Sequence, residues 1–180
     1  MQVTEELVPA GVWSVDTTHS SVRFEVEHMG ISPFSARFTD VNAALDRRNG
    51  EVELHGRVRV ASVDVEDEIL LAHLMAPDFF DTERYPEIGF RSTAISGSGD
   101  DLIVAGELTI KGTTRTIEAR GAMTESISDP QGGERIGLTL ATTIDRTDYG
   151  LTFQLEMPSG SPALGNQVEL IVSLELVKEA

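Results

Sequence analysis

The chain has 180 residues, 40% of them apolar and only 6% aromatic, so it suits one domain whose interior is built mainly from Val, Leu, Ile and Ala. It contains no cysteine, which excludes disulfides, thiolate metal sites and cysteine nucleophiles together. With 30 acidic against 14 basic residues the net charge is −16, and such a surface repels nucleic-acid phosphates and anionic headgroups. The acidic start Met1-Gln2-Val3-Thr4-Glu5-Glu6 does not read as a signal peptide. No apolar run approaches the roughly 20 residues of a membrane span. The expectation is a cytoplasmic protein that neither inserts stably in a membrane nor binds nucleic acid.

Period-two alternation dominates the chain. Strands are predicted near 12–17 and 21–28, either two strands or one bent strand, with Val22, Phe24 and Val26 on one face and Arg23, Glu25 and Glu27 on the other. A strand near 34–46 follows, then one near 51–64 in which Val52, Leu54, Val58 and Val60 oppose charged neighbours. Residues 66–76 break the pattern. They are rich in helix formers, acidic at the start and ended by Pro77, with Ile69, Leu70, His73 and Leu74 at helical spacing. Alternation returns near 87–96, 101–110 (Leu102, Val104, Leu108, Ile110), 115–125, 134–146 (Ile136, Leu138, Leu140) and 166–177 (Val168, Leu170, Val172, Leu174, Leu176). Turn signals separate these runs at Arg48-Asn49-Gly50, Ser96 to Asp100, Lys111-Gly112 and Asp129 to Gly133. About eight short strands joined by tight turns indicate an antiparallel barrel or sandwich.

Chemistry-bearing residues are few. Of the four histidines, His55 shares the charged parity of its strand and reads as a surface residue, whereas His28 shares the parity of Phe24 and Val26 and is expected to point inward. No close histidine pair assembles a metal site from His19, His28 and His73, and no metal or cofactor is expected. Asp16 and His19 stand where a strand leaves a turn and are read as caps of backbone groups. Ser20, His73 and Asp78 could compose a hydrolase triad, but no Gly-x-Ser-x-Gly elbow accompanies them. In Asp145-Arg146-Thr147-Asp148, Arg146 is expected to pair with a nearby carboxylate. Nothing here points to an enzyme.

A set of landmarks in fixed order is more specific. Trp13 to Phe24, Val26-Glu27-His28, Ala36-Arg37-Phe38, His73 to Asp81, Tyr85 to Phe90, Gly106 to Arg115 and Asp145 to Gly150 together resemble the YceI-like family of polyisoprenoid-binding proteins, from about residue 12 to 177. The resemblance implies residues 12–180 as an all-β, antiparallel eight-stranded lipocalin-like barrel with one short helix, preceded by an extension over 1–11. It implies an apolar pore that holds a polyisoprenoid, an isoprenoid quinone or another long-chain lipid for storage or transport. It also allows a homodimer. Two departures stand out: Leu70 and Leu71 occupy places where the family usually has an Arg-Asp pair, and Lys111 replaces the histidine of a Leu-Thr-Ile-His-Gly phrase.

Given such a pore, the expected ligand-binding residues are Phe24, Val26, Phe38, Phe90, Leu108, Leu138 and Leu140 on the strands. Leu70, Leu74, Met75, Phe79 and Phe80 join them at a mouth lidded by the helix, its inward stripe including Leu70 and Leu74. Inward parity alone equally allows a structural or stress-associated barrel filled by its own side chains, with no lipid cargo.

Overall fold

The computed structural model describes residues 8–180. Eleven strands run in chain order: β1 (Gly11–Val15), β2 (Ser21–His28), β3 (Ser32–Phe38), β4 (Val41–Arg47), β5 (Glu53–Arg59), β6 (Glu87–Ser98), β7 (Asp101–Ile110), β8 (Thr113–Met123), β9 (Ile127–Ser128), β10 (Glu134–Asp145) and β11 (Leu164–Lys178). Among the described residues one α-helix, α1 (Glu68–Met75), stands between β5 and β6. Asp67 caps it, its Oδ1 accepting from the amides of Ile69 and Leu70, each at 2.9 Å.

β11 closes the barrel. One edge pairs with β10 from Arg135↔Val177 to Asp145↔Gln167. The other edge is shared, Ser173 to Val168 by β2 and Leu176 to Lys178 by β1. β1 and β2 are thus one bent strand, as the alternation suggests. Its bend is an Asx turn in which the Thr18 amide donates to Asp16 Oδ1 at 2.9 Å. β1 also pairs with β4, and β8 with β10 across the short β9, while the other pairs join consecutive strands, so an eight-stranded antiparallel barrel closes as β1/β2, β3/β4, β5, β6, β7, β8, β10 and β11.

The strands depart from the predicted spans at two places that share one cause. The run over 34–46 breaks at Thr39 and Asp40, and the run over 51–64 stops at Arg59, giving way to a 3-10 turn at Val60–Ser62. Ser62 holds both breaks: its Oγ accepts from the Thr39 and Asp40 amides (3.2 and 2.9 Å) and donates to the Arg59 carbonyl (2.7 Å). Val60, which opens the turn, and Val63, which follows it on the other parity, are both buried.

The core forms two clusters. At the closed end Trp13, Leu45, Ile136 and Leu176 are fully buried together with Val8. Trp13 Nε1 donates to the Pro9 carbonyl at 3.1 Å, so the indole buries its ring without stranding its N–H. At the mouth, Phe24, Val26, Phe38, Leu74, Ile144 and Tyr149 pack under α1 and the 151–163 loop.

A charge hub locks the closed end. Arg135 on β10 donates to Asp16 Oδ2 (2.7 Å), Glu175 Oε1 (2.8 Å) and Asp129 Oδ2 (2.9 Å), tying the β1–β2 bend to β10 and β11. Hydrogen bonds from His19 and then Arg135 hold the Asp16 carboxyl well below the usual range, and Arg135 does the same for Asp129. A carboxylate with a depressed folded pKa stabilises the fold above its unfolded pKa and loses that contribution as pH falls. Arg135→Met is therefore expected to lower the melting temperature at neutral pH. The difference from wild type should shrink as pH is taken from about 5 to about 2, because the unfolded chain takes up protons on these carboxylates while the hub of the folded wild type still resists them. Thermal melts of the two proteins across that range measure it, and a difference that stays constant with pH contradicts the hub.

Candidate ligand cavity

An apolar cavity of about 150 Å³ lies between the two packed clusters, in the middle of the barrel. Its origin is side-chain size. Three inward positions around this waist carry almost no side chain: Ala43 on β4, Gly56 on β5 and Ala119 on β8. A Cβ at Gly56 would stand 3.1 Å from the Ala43 Cβ, so a larger residue there would grow into the lumen. Around them, Phe90, Leu108, Leu140, Leu170 and Leu174 supply an aliphatic and aromatic wall. Phe90 fits because Gly106 faces it: a Cβ on Gly106 would come within 2.5 Å of the ring. The β6–β7 register shifts between Ser92 and Ala94, which returns Ile95 to the interior beyond the bulge. Buried Ser92 is satisfied, its Oγ accepting from the Leu54 amide at 2.9 Å.

The mouth above the cavity is built differently from the closed end. Leu74 is buried, while Leu70, Leu71, Met75, Phe79 and Phe80 are only partly so. His73 meets the rings of Phe79 and Phe153 edge-on at 4.8 and 4.6 Å, joining α1 to the 151–163 loop. Lys111 Nζ donates to the Pro77 carbonyl at 2.8 Å, so the lysine that departs from the family phrase ties the segment after α1 to the β7–β8 hairpin. The helix does present Leu70 and Leu74 inward, but Ile69 is 85% exposed and leaves the predicted apolar stripe.

Arg146 corrects an expectation. It pairs with no carboxylate; it is buried at 4% exposure and binds the loop backbone. Its Nε donates to the Gly165 carbonyl (2.8 Å) and its Nη1 to the carbonyls of Leu151 (2.6 Å) and Phe153 (2.9 Å). Its Nη2 donates to Asn166 Oδ1 at 3.2 Å. A planar guanidinium can satisfy several converging carbonyls at once, which a carboxylate partner would have prevented. Burial lowers its pKa, opposed by the nearby Asp145 charge.

His28 is a second correction. It is exposed, because β2 runs past the barrel rim there and pairs with Leu164 and Ser32 outside the core. Asp16 caps the turn as read from sequence, accepting from the Thr18 amide, whereas His19 binds a side chain and not a backbone group, its Nδ1 lying 2.9 Å from Asp16 Oδ2. Asp16, His19 and Glu175 are the one group of potential metal ligands that converges among the described residues. Arg135 already holds a carboxylate oxygen of both acids. Ser20, His73 and Asp78 do not come together: Ser20 Oγ accepts from the Glu175 amide at the closed end, while His73 and Asp78 face each other at the mouth.

Of the expected ligand-binding residues, Phe38, Phe90, Leu108 and Leu140 line the cavity. Phe24, Val26, Leu70, Leu74, Met75, Phe79 and Phe80 form the mouth cluster above it, and Leu138 sits in the packed layer at the closed end. Sequence reading passed over Ala43, Gly56 and Ala119, because attention to large apolar residues hides positions that matter by being small. The signal was present: each holds inward parity in its strand.

A family model described as the YceI-like domain matches residues 13–176. The chain belongs to the YceI-like family. Protein YceI of Escherichia coli O17:K52:H18 is 30% identical over 164 residues, covering 89% of this chain and 83% of that protein. Among solved structures, Burkholderia cenocepacia BcnA superposes with a TM-score of 0.72 at 21% identity, covering 92% of this chain and 99% of BcnA. A polyisoprenoid binding domain from Saccharophagus degradans, described as implicated in plant cell wall breakdown, gives 0.72 at 16% identity, with 93% and 98% covered. At these identities the structural matches establish the shared YceI-like barrel.

Filling the waist tests whether the cavity is open space. Ala119→Leu adds three carbon-sized groups at a lumen-facing position and is expected to stay within about 1 kcal/mol of wild type in stability. An apolar cavity of about 150 Å³ takes up a benzene-sized molecule. Benzene should therefore raise the melting temperature of wild type and not of Ala119→Leu; an equal rise in both would show that the cavity is not where benzene binds.

Proposed function

We propose that this protein binds a long-chain apolar lipid, a polyisoprenoid or isoprenoid quinone, in the lumen of its barrel for storage or transport, and acts as a binding protein rather than an enzyme. The observation that carries this reading is the apolar cavity set between a fully packed floor and a partly packed mouth. Membership of the YceI-like family and the polyisoprenoid-binding description of a structural relative support it.

Volume decides how such a ligand would enter. The cavity of about 150 Å³ matches a benzene-sized molecule, well short of the ~300–1,000 Å³ of ordinary ligand pockets. A long chain therefore needs space now occupied by side chains. The closed end cannot yield it without unpacking Trp13, Leu45, Ile136 and Leu176. The half-buried Leu70, Leu71, Met75, Phe79 and Phe80 can move at smaller cost, and methionine in particular adapts to irregular shapes. α1 is then the lid.

Energetics favour a carrier. Burying about 20 carbons at ~0.8 kcal/mol each is worth nominally ~16 kcal/mol against water, and ordering the chain and opening the mouth offset much of it. A lipid in a bilayer is already dry, so transfer between membrane and barrel is close to balanced and reversible. The acidic exterior adds no attraction to anionic headgroups, which leaves apolar contact as the holding force.

The small cavity is also what favours the competing reading, a barrel filled by its own side chains with no cargo. Solvent extraction of the purified protein followed by mass spectrometry separates the two. The lipid reading expects a prenyl-chain compound in stoichiometric amount, and a clean extract from protein purified without detergent rejects it. Leu74→Glu puts a carboxylate into the mouth cluster, where an unpaired charge against a lipid tail is strongly unfavourable. It should retain at least about tenfold less lipid, or ~1.4 kcal/mol, while Arg120→Gln on the outer wall retains the wild-type amount.

A further inference from the structure

The barrel wall has a seam between β8 and β10. These strands pair only where Arg120–Met123 faces Leu138–Ala141. β8 nevertheless stays on β7 to Thr113, and β10 stays on β11 to Asp145. Above Ala141 a side chain spans the gap, Thr142 Oγ1 donating to the Glu118 carbonyl at 2.8 Å. The central cavity reaches this seam: Ala141 and Thr142 line it on one side and Ile117 on the other. A 3-10 turn, Arg146–Tyr149, then folds back over the gap, where Arg115 Nε donates to the Asp148 carbonyl at 3.3 Å.

Tyr149 ends that turn and packs in the mouth cluster with Leu108, Ile110 and Ile144. Leu108 and Ile110 are also cavity wall. The Tyr149 side chain is 2% exposed, and its hydroxyl is enclosed without a hydrogen-bond partner. Buried hydroxyls are almost always partnered, and one left alone destabilises the fold. Phenylalanine would fill the same space without that burden.

Resting on the lipid-binding reading above, we infer that the Tyr149 hydroxyl is the hydrogen-bond donor for the polar end of the bound lipid, at the β8–β10 seam, and that this end carries an uncharged acceptor oxygen. The chain lies in the lumen and its head reaches Tyr149 by parting the side chains that cover the hydroxyl, where no backbone ladder resists. A carbonyl, phenol or alcohol oxygen suits the site. The nearest charges, Asp148 and Arg115, are opposite in sign, and the one buried guanidinium among the described residues, Arg146, is committed to the 151–166 segment. A phosphate would find no uncommitted buried cation.

The test compares three probes that share one prenyl chain: geranylgeraniol, its oxygen-free hydrocarbon and geranylgeranyl phosphate. Each competes with a fluorescent polyene for the full-length, lipid-stripped protein. Wild type should bind the alcohol about three- to tenfold more tightly than the hydrocarbon, as one net hydrogen bond allows, and the phosphate no better than the alcohol. Tyr149→Phe should lose the preference for the alcohol, bind the hydrocarbon as wild type does, and melt at or above the wild-type temperature. A preference that survives in Tyr149→Phe overturns the assignment. So does a lower melting temperature with weakened hydrocarbon binding, which would reveal a structural partner for the hydroxyl. Tighter binding of the phosphate overturns the uncharged head. A wild type that binds all three probes alike overturns the role of Tyr149 and leaves the lipid reading standing, whereas one that binds none of them overturns both.

Discussion

Closure of the sheet on β11 is the constraint from which the rest of this structure follows. β11 is paired along both edges, to β10 on one side and to the bent β1/β2 strand on the other. A strand held on two sides cannot slip by one residue without turning every side chain to the wrong face. Closure also leaves few sheet edges open to pairing with another chain, the β8–β10 seam and the short edges at β3 and β9 excepted. The alternation of charged and apolar residues thereby becomes a division between an outer surface of net charge −16 and a dry interior. Arg135 reinforces the division where β10, β11 and the β1–β2 bend converge, through its bonds to Asp16, Asp129 and Glu175.

Inside a closed barrel of fixed strand number, volume not occupied by a side chain stays empty. Ala43, Gly56 and Ala119 leave such a volume at the waist, and the Phe90 ring lying over Gly106 shows how the same wall packs where one partner is large. The two ends then differ in mechanical character. The floor is sealed by residues with no exposure at all. The mouth is closed by a short capped helix, by half-buried Leu, Met and Phe side chains, and by a loop held through the carbonyls that Arg146 binds. A lid made this way can open at the cost of a few apolar contacts while the barrel beneath it keeps its ladders.

The same division accounts for the kind of function the fold can serve. Charge outside keeps the protein in water, and apolar contact inside offers a lipid an environment much like the bilayer it leaves. Selectivity must come from the few polar groups that face inward, since aliphatic walls accept any chain of suitable width. Ser92 is already satisfied by the Leu54 amide, and Thr142 by the Glu118 carbonyl. On the proposed lipid-binding function, the polar groups at the seam and mouth have more influence on which lipid is held than the larger number of residues that would surround its chain.

Much of this architecture was readable from residue order. Alternation located the strands because a half-buried strand must present one face to each environment. The run over 66–76, acidic at its start and ended by Pro77, located the helix because helix-forming composition and the loss of alternation are local. The Trp13, His73 and Asp145 landmarks pointed to the family because their order spans the whole chain. What residue order left undecided depends on groups far apart in sequence. Ser62 breaks two strands by accepting amides more than twenty positions away. Arg146 turned from an expected carboxylate partner into a clamp on Leu151, Phe153 and Gly165, because only the folded loop brings those carbonyls to one point. His28 kept inward parity yet lies outside the core, because parity says nothing about where a strand leaves the barrel. The cavity is of the same kind: Ala43, Gly56 and Ala119 are unremarkable one at a time, and only closure sets them at one level of the lumen, where their missing side chains add up to a space.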